Sequence, residues 1–126
     1  MSGGARPQRG GEVQAVFSRP LSEIKAELFK ALAHPGRVRI LEVLGEGERT
    51  VAELVPLVGL ESSHLSQQLG VLRRAGVVTA QRTGASVVYS IAADEIVELL
   101  AVARRFLISS LSAGQELLAV LRDDVR

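Results

Sequence analysis

The 126-residue chain contains no cysteine and only two histidines, His34 and His64. Without cysteine there can be no disulfide, thiolate metal site, iron–sulfur cluster or cysteine nucleophile. A structural zinc site also loses most of its usual ligands. A cysteine-free chain suits a cytoplasmic location at least as well as a secreted one, and a cytoplasmic protein is the expectation. Long apolar runs are missing too. The longest nearly uncharged stretch, Ser62–Leu72, is full of Ser, Gln and His, so it predicts no membrane span. Residues 1–11 are rich in Gly and Arg and lack the apolar region of a signal peptide. They read as part of a disordered arm over residues 1–19.

Neither sign of charge is in large excess. Lys and Arg number 15 against 14 Asp and Glu, a formal net charge of +1. That sum alone argues against a strongly basic nucleic-acid binder. It conceals a segregation, however. Residues 62–93 carry Arg73, Arg74 and Arg82 and no carboxylate, whereas residues 94–126 carry four bases and six acids. The acid-free window is where a polyanion meets least repulsion. Hydrophobic residues at 47% and charged residues at 23% describe one ordinary globular domain.

Apolar periodicity then places the elements. Leu21, Ile24, Leu28, Ala31 and Leu32 predict an amphipathic helix over 22–33. His34-Pro35-Gly36 ends it, and Pro35 suits the first turn of a second helix that stops at Gly45. That helix buries Val38, Ile40, Leu41 and Leu44, with Arg37 and Arg39 more exposed. Thr50-Val51-Ala52-Glu53 fits a capping box for a short third helix closed by Val58-Gly59. Ser62 is the expected N-cap of a fourth helix that buries Leu65, Leu69 and Leu72 and ends at Gly76. The period then changes. Residues 77–82 and 87–91 are β-prone, and Thr83-Gly84-Ala85-Ser86 between them predicts a hairpin. A last helix starts with Asp94 as N-cap and Glu95 in its first turn, with Gly114 as a point where it could bend or break.

A short helix, a tight turn and a second helix make a helix-turn-helix, and the hairpin after it makes a wing. The fold expected is therefore mainly α with a small β-hairpin: a winged helix-turn-helix of about five helices and a two-stranded wing. The domain is expected over residues 20–112, followed by a C-terminal helical extension over 113–126. With the leucines inward, Ser63, His64, Gln67, Gln68, Val71 and Arg74 occupy the outward face of the fourth helix. Hydroxyls and amides at the start of a groove-entering helix pair with base edges, and its N-terminal amides suit a phosphate. Double-stranded DNA is the expected partner. Its contacts are expected from Ser62, Ser63, His64, Ser66, Gln67, Gln68, Arg73 and Arg74 on the helix and Arg82 and Thr83 on the wing. Gly70 either allows close backbone approach or is a tolerated flaw.

Two segments carry a family resemblance. Glu27–Leu41, ELFKALAHPGRVRIL, and Leu65–Val78, LSQQLGVLRRAGVV, resemble the opening and the recognition region of the ArsR/SmtB winged-helix repressors. The resemblance covers roughly residues 21–107. It implies a homodimer whose first and last helices form the interface, with Leu21, Ile24, Leu28, Leu99, Leu100, Ala103, Phe106 and Leu107 at the contact. It also implies binding to an imperfect inverted repeat in a promoter, release by an effector, and a structural role for His34. The excess of apolar residues on the last helix independently favours a twofold partner, because so small a domain cannot cover them all.

Many members of that family sense metals, and the departures matter. Where one family site has cysteine before the recognition helix, this chain has Thr50, and a hydroxyl does not replace a thiolate for a soft metal. Another site takes histidine from the last helix, which here has none. Asp94, Glu95 and Glu98 remain, in positions ordinary for a helix start. No metal and no cofactor are expected. A small-molecule effector could occupy a pocket between helices, and nothing names it. The low net charge motivates one alternative, a winged-helix protein-interaction module that does not bind DNA. No enzyme is expected: Ser63 and His64 are neighbours on one helix, poorly placed as nucleophile and base.

Overall fold

The computed structural model describes residues 19–125. The arm expected over 1–19 lies outside the described residues apart from Arg19. In chain order the elements are α1 (Leu21–Leu32), α2 (Pro35–Leu44), β1 (Arg49–Thr50), α3 (Val51–Val58), α4 (Ser62–Arg74), β2 (Val78–Thr83), β3 (Ser86–Ile91) and α5 (Asp94–Val125). This is the winged helix-turn-helix expected, with five helices among the described residues.

Local chemistry sets the boundaries. The backbone N–H of Gly36 donates to His34 Nδ1 at 2.9 Å, so the histidine caps α2 while Pro35 occupies its first turn. Thr50 and Glu53 form the expected capping box, the Thr50 N–H donating to the Glu53 carboxylate at 2.8 Å and the Glu53 N–H to Thr50 Oγ1 at 3.2 Å. Gly59 ends α3 at φ +83°, a left-handed conformation that favours glycine. Arg19 belongs structurally with α1 rather than with the arm, since its guanidinium pairs with Glu27 at 2.7 Å and Glu23 at 3.5 Å. Its hydrogen bond holds the exposed Glu27 carboxyl below the usual carboxylate range.

Two expectations need correction. The sheet has three strands, not two, in the order β1-β3-β2. The added strand is only two residues long, pairing Arg49 with Tyr89 and Thr50 with Val88, too short for any alternation to show. Second, the N-cap of α4 is Glu61 without a side-chain cap bond, and Ser62 is already helical. Asp94 is likewise inside the first turn of α5. Gly114, where the sequence left a bend or break open, does not interrupt α5, which runs for 32 residues. A single glycine costs about 1 kcal/mol in a helix, too little to interrupt so long an element. The segment expected as a helical extension over 113–126 is continuous with it as far as Val125.

The core lies where α2, α3 and α4 meet the base of the wing. Ile40, Leu41, Leu54, Leu65, Leu69, Leu72 and Val78 are fully buried there. Each such side chain contributes about 1.5–3 kcal/mol by leaving water. Ile96, Leu99 and Leu100 of α5 pack against this core from outside, whereas residues 101–123 of the same helix are exposed. Truncating Leu69 to Ala should therefore cost ~2–5 kcal/mol of unfolding free energy. Thr50→Ala should cost only ~1 kcal/mol. Urea midpoints at an unchanged denaturant slope check both values.

Candidate nucleic-acid interface

Helix α4 is oriented by its inward stripe. Residues 65, 68, 69 and 72 follow i, i+3, i+4, i+7 spacing, and all four are buried. The stripe turns Ser62, Ser63, His64, Ser66, Gln67, Arg73 and Arg74 to the surface. Val71 and Gly70 are half-buried at its margin. A Cβ built on Gly70 would meet Arg74 Nη1 at 3.3 Å, so the glycine leaves room for a flexible arginine, not for another backbone of this chain.

Gln68 corrects the sequence reading. It was expected on the outward face, yet it is only 6% exposed and is the one buried polar side chain among the described residues. Its Oε1 accepts from Arg37 Nη1 at 2.8 Å, which satisfies the polar group that burial would otherwise penalise. Arg37, expected to be more exposed than its apolar neighbours, is half-buried. The spacing from Leu65 and Leu72 already carried the signal, but an amide is normally read as a surface residue.

The wing follows directly. Six register pairs join β2 to β3, from Val78 with Ile91 to Thr83 with Ser86, leaving Gly84-Ala85 as a two-residue turn. Gly84 takes φ +63°, as hairpins of this length require of their first turn residue when glycine leads. Arg82 and Thr83 are both exposed near this tip. Among the described residues, Arg73, Arg74 and Arg82 form no ion pair with a carboxylate; the pairs present involve Arg19 and Arg39. An exposed helix face of hydroxyls, amide and imidazole is thus flanked by three arginines on acid-free segments. Such a surface can hydrogen-bond to base edges and attract phosphates.

His64 sits in the first turn of α4 with its ring edge-to-face on His34, centroids 6.3 Å apart. Among the described residues no group of three or more His, Asp or Glu side chains is placed to hold a metal ion. The residues expected at a subunit contact fall into two groups. Leu28, Leu99 and Leu100 are half-buried against the core, and Leu21, Ile24, Ala103, Phe106 and Leu107 are exposed. Phe106 is 67% exposed, a large cost for an aromatic side chain left in water. No helix among the described residues is long and apolar enough to cross a membrane.

Comparison with known proteins is consistent with this geometry. Residues 34–80 match the model of the arsR family of bacterial regulatory proteins. The HTH-type transcriptional regulator Rv0081 of Mycobacterium tuberculosis is 62% identical over 107 residues, covering 84% of this chain and 91% of that protein. Its crystal structure superposes with a TM-score of 0.70 at 64% identity, over 75% of this chain and 96% of that one. A biofilm growth-associated repressor of Agrobacterium fabrum is 41% identical over 95 residues, 75% of this chain and 81% of its own. The solution structure of a Mycobacterium bovis protein, described as a homodimeric winged helix-turn-helix DNA-binding domain, has a TM-score of 0.69 at 27% identity, over 90% of this chain and 95% of that one.

The tip geometry makes one position informative. Gly84→Val places a β-branched residue at φ +63° and should destabilise the wing by ~1–2 kcal/mol. Faster amide hydrogen exchange at β2 and β3, with α4 unchanged, is the expected readout.

Proposed function

The chain belongs to the arsR family of bacterial regulatory proteins, and on that premise we propose that it is a homodimeric transcriptional repressor that reads an inverted-repeat operator in double-stranded DNA. The observation that carries this reading is the outward face of α4: Ser63, His64, Ser66 and Gln67 exposed over a buried leucine stripe, with Arg73 and Arg74 at the end of the helix and Arg82 on the wing forming no ion pair among the described residues. The face enters the major groove. Gln67 and the serines contact base edges, Ser62 and the first-turn amides meet a phosphate, and Arg73, Arg74, Arg82 and Thr83 hold the backbone alongside. Gln68 has no direct part in this contact, because it is buried.

The dimer forms through α1 and α5. Ile96, Leu99 and Leu100 pack the first turns of α5 on its own domain. Ala103, Phe106 and Leu107 continue the same side of the helix without cover from that domain, and a second copy covers them. The homodimer described for the Mycobacterium bovis relative supports this assembly. The two recognition helices then lie about one DNA turn, ~34 Å, apart. An effector other than a thiolate-bound metal releases the operator, since the chain has no cysteine. The protein has no catalytic role and acts in the cytoplasm.

Two measurements test the proposal. Arg74→Ala and Arg82→Ala should each lower the slope of log affinity against log salt by ~1 on duplex DNA. Unchanged affinity and slope in both variants would remove these residues from the interface, and salt-insensitive or absent binding by the parent protein would favour a protein-interaction module instead. Phe106→Asp combined with Leu107→Asp should convert the dimer to monomer in sedimentation equilibrium. A persistent dimer would place the subunit contact elsewhere.

A further inference from the structure

The Arg37 guanidinium joins three helices. From the first turn of α2, its Nε donates to the carbonyl of Ala31 at 2.6 Å and its Nη2 to the carbonyl of Lys30 at 3.4 Å. Both carbonyls lie in the last turn of α1, the end of a helix that favours a cation; the Ala31 carbonyl is one that the helix leaves without an intrahelical donor, while the Lys30 carbonyl also accepts from the Ala33 N–H at 3.2 Å. The third contact is Nη1 to Gln68 Oε1 at 2.8 Å, inside the stripe that seats α4. All three acceptors are neutral oxygens, so the cation is held by geometry and not by an opposite charge.

A second contact lies one turn away. The His34 ring that caps α2 meets the ring of His64, four residues before Gln68 on α4. Gly36 leaves the capping His34 ring and Leu60 room to pack close to the start of α2: a Cβ there would lie 3.1 Å from His34 Cε1 and 3.1 Å from Leu60 Cδ1. The His-Pro-Gly-Arg corner therefore grips two successive turns of the recognition helix. The leucines of α4 hold it by apolar contact, which has no direction. A buried hydrogen bond has direction, and a satisfied buried polar group favours a single arrangement. Gln67 points ~100° around the helix from Gln68, so the rotation that seats one sets the other against the groove.

We propose that Arg37 is a positioning residue for DNA reading: through Gln68 it fixes the rotation of α4 about its axis and ties that rotation to the end of α1. The inference rests on the DNA-reading function proposed above. It extends that function to a residue with no place on the reading face, and it makes α1 a mechanical neighbour of the recognition helix.

The test uses the full chain and two duplexes of equal length, one selected by the parent protein from a random pool and one scrambled. The ratio of their dissociation constants measures reading, and urea unfolding measures stability. Gln68→Leu keeps the stripe apolar and should leave the fold stable. Gln68→Leu and Arg37→Met should each lower the ratio ~10-fold, with affinity for scrambled DNA nearly unchanged, a loss the size of a mismatched base pair. Gln68→Glu restores an acceptor for Arg37 and should keep the parent ratio. If both disrupting variants keep the parent ratio, or lose affinity for both duplexes in parallel with stability, the positioning role is overturned. A parent protein that selects no sequence overturns the DNA-reading function itself, and this inference with it.

Discussion

A thirteen-residue helix is marginal in water by itself, so α4 depends on the burial of Leu65, Leu69 and Leu72 against α2 and α3. That burial is worth several kcal/mol in total, more than any surface contact of the same helix. It also decides which residues are left outside. Because the inward set repeats at i, i+3, i+4 and i+7, only one rotation of the helix satisfies it, and that rotation exposes Ser63, His64, Ser66 and Gln67. The reading face is thus a by-product of core packing. Gln68 belongs to the same stripe and gives it a direction that leucines alone do not.

Charge is arranged around that face. The chain is nearly neutral in sum, yet residues 62–93 of α4 and the wing carry arginines without a carboxylate, and the acids lie before residue 62 and on α5. An exposed arginine with no partner keeps its full attraction for a phosphate and gives up no ion pair on binding. Arg19 and Arg39, by contrast, are already engaged with Glu27 and Glu42. The distinction lies in placement, and net charge does not register it.

What could be read from the sequence was local. The Thr50–Glu53 capping box, Pro35 in the first turn and the Gly84 turn each depend on residues within four positions of one another, and each is found. The winged helix-turn-helix follows from their order. What escaped depends on distant partners or on length. Gln68 is buried because Arg37, 31 residues away, supplies its donor. Strand β1 exists only as two residues paired to β3. Gly114 stays helical because a small local penalty is spread over a 32-residue element. Of the site, the helix face and the wing arginines were found by periodicity and charge, and Gln68 was assigned to the wrong side because an amide is polar.

Backbone amide chemical shifts followed during titration with a selected duplex test the central claim most directly, since they report every residue of the surface at once. The largest changes should fall on residues 62–67, on Arg73 and Arg74, and on residues 82–84 of the wing, with the exposed face of α5 unaffected. Changes concentrated on α5, or none on α4 at saturating DNA, would contradict the assignment of α4 and the wing as the DNA-reading surface.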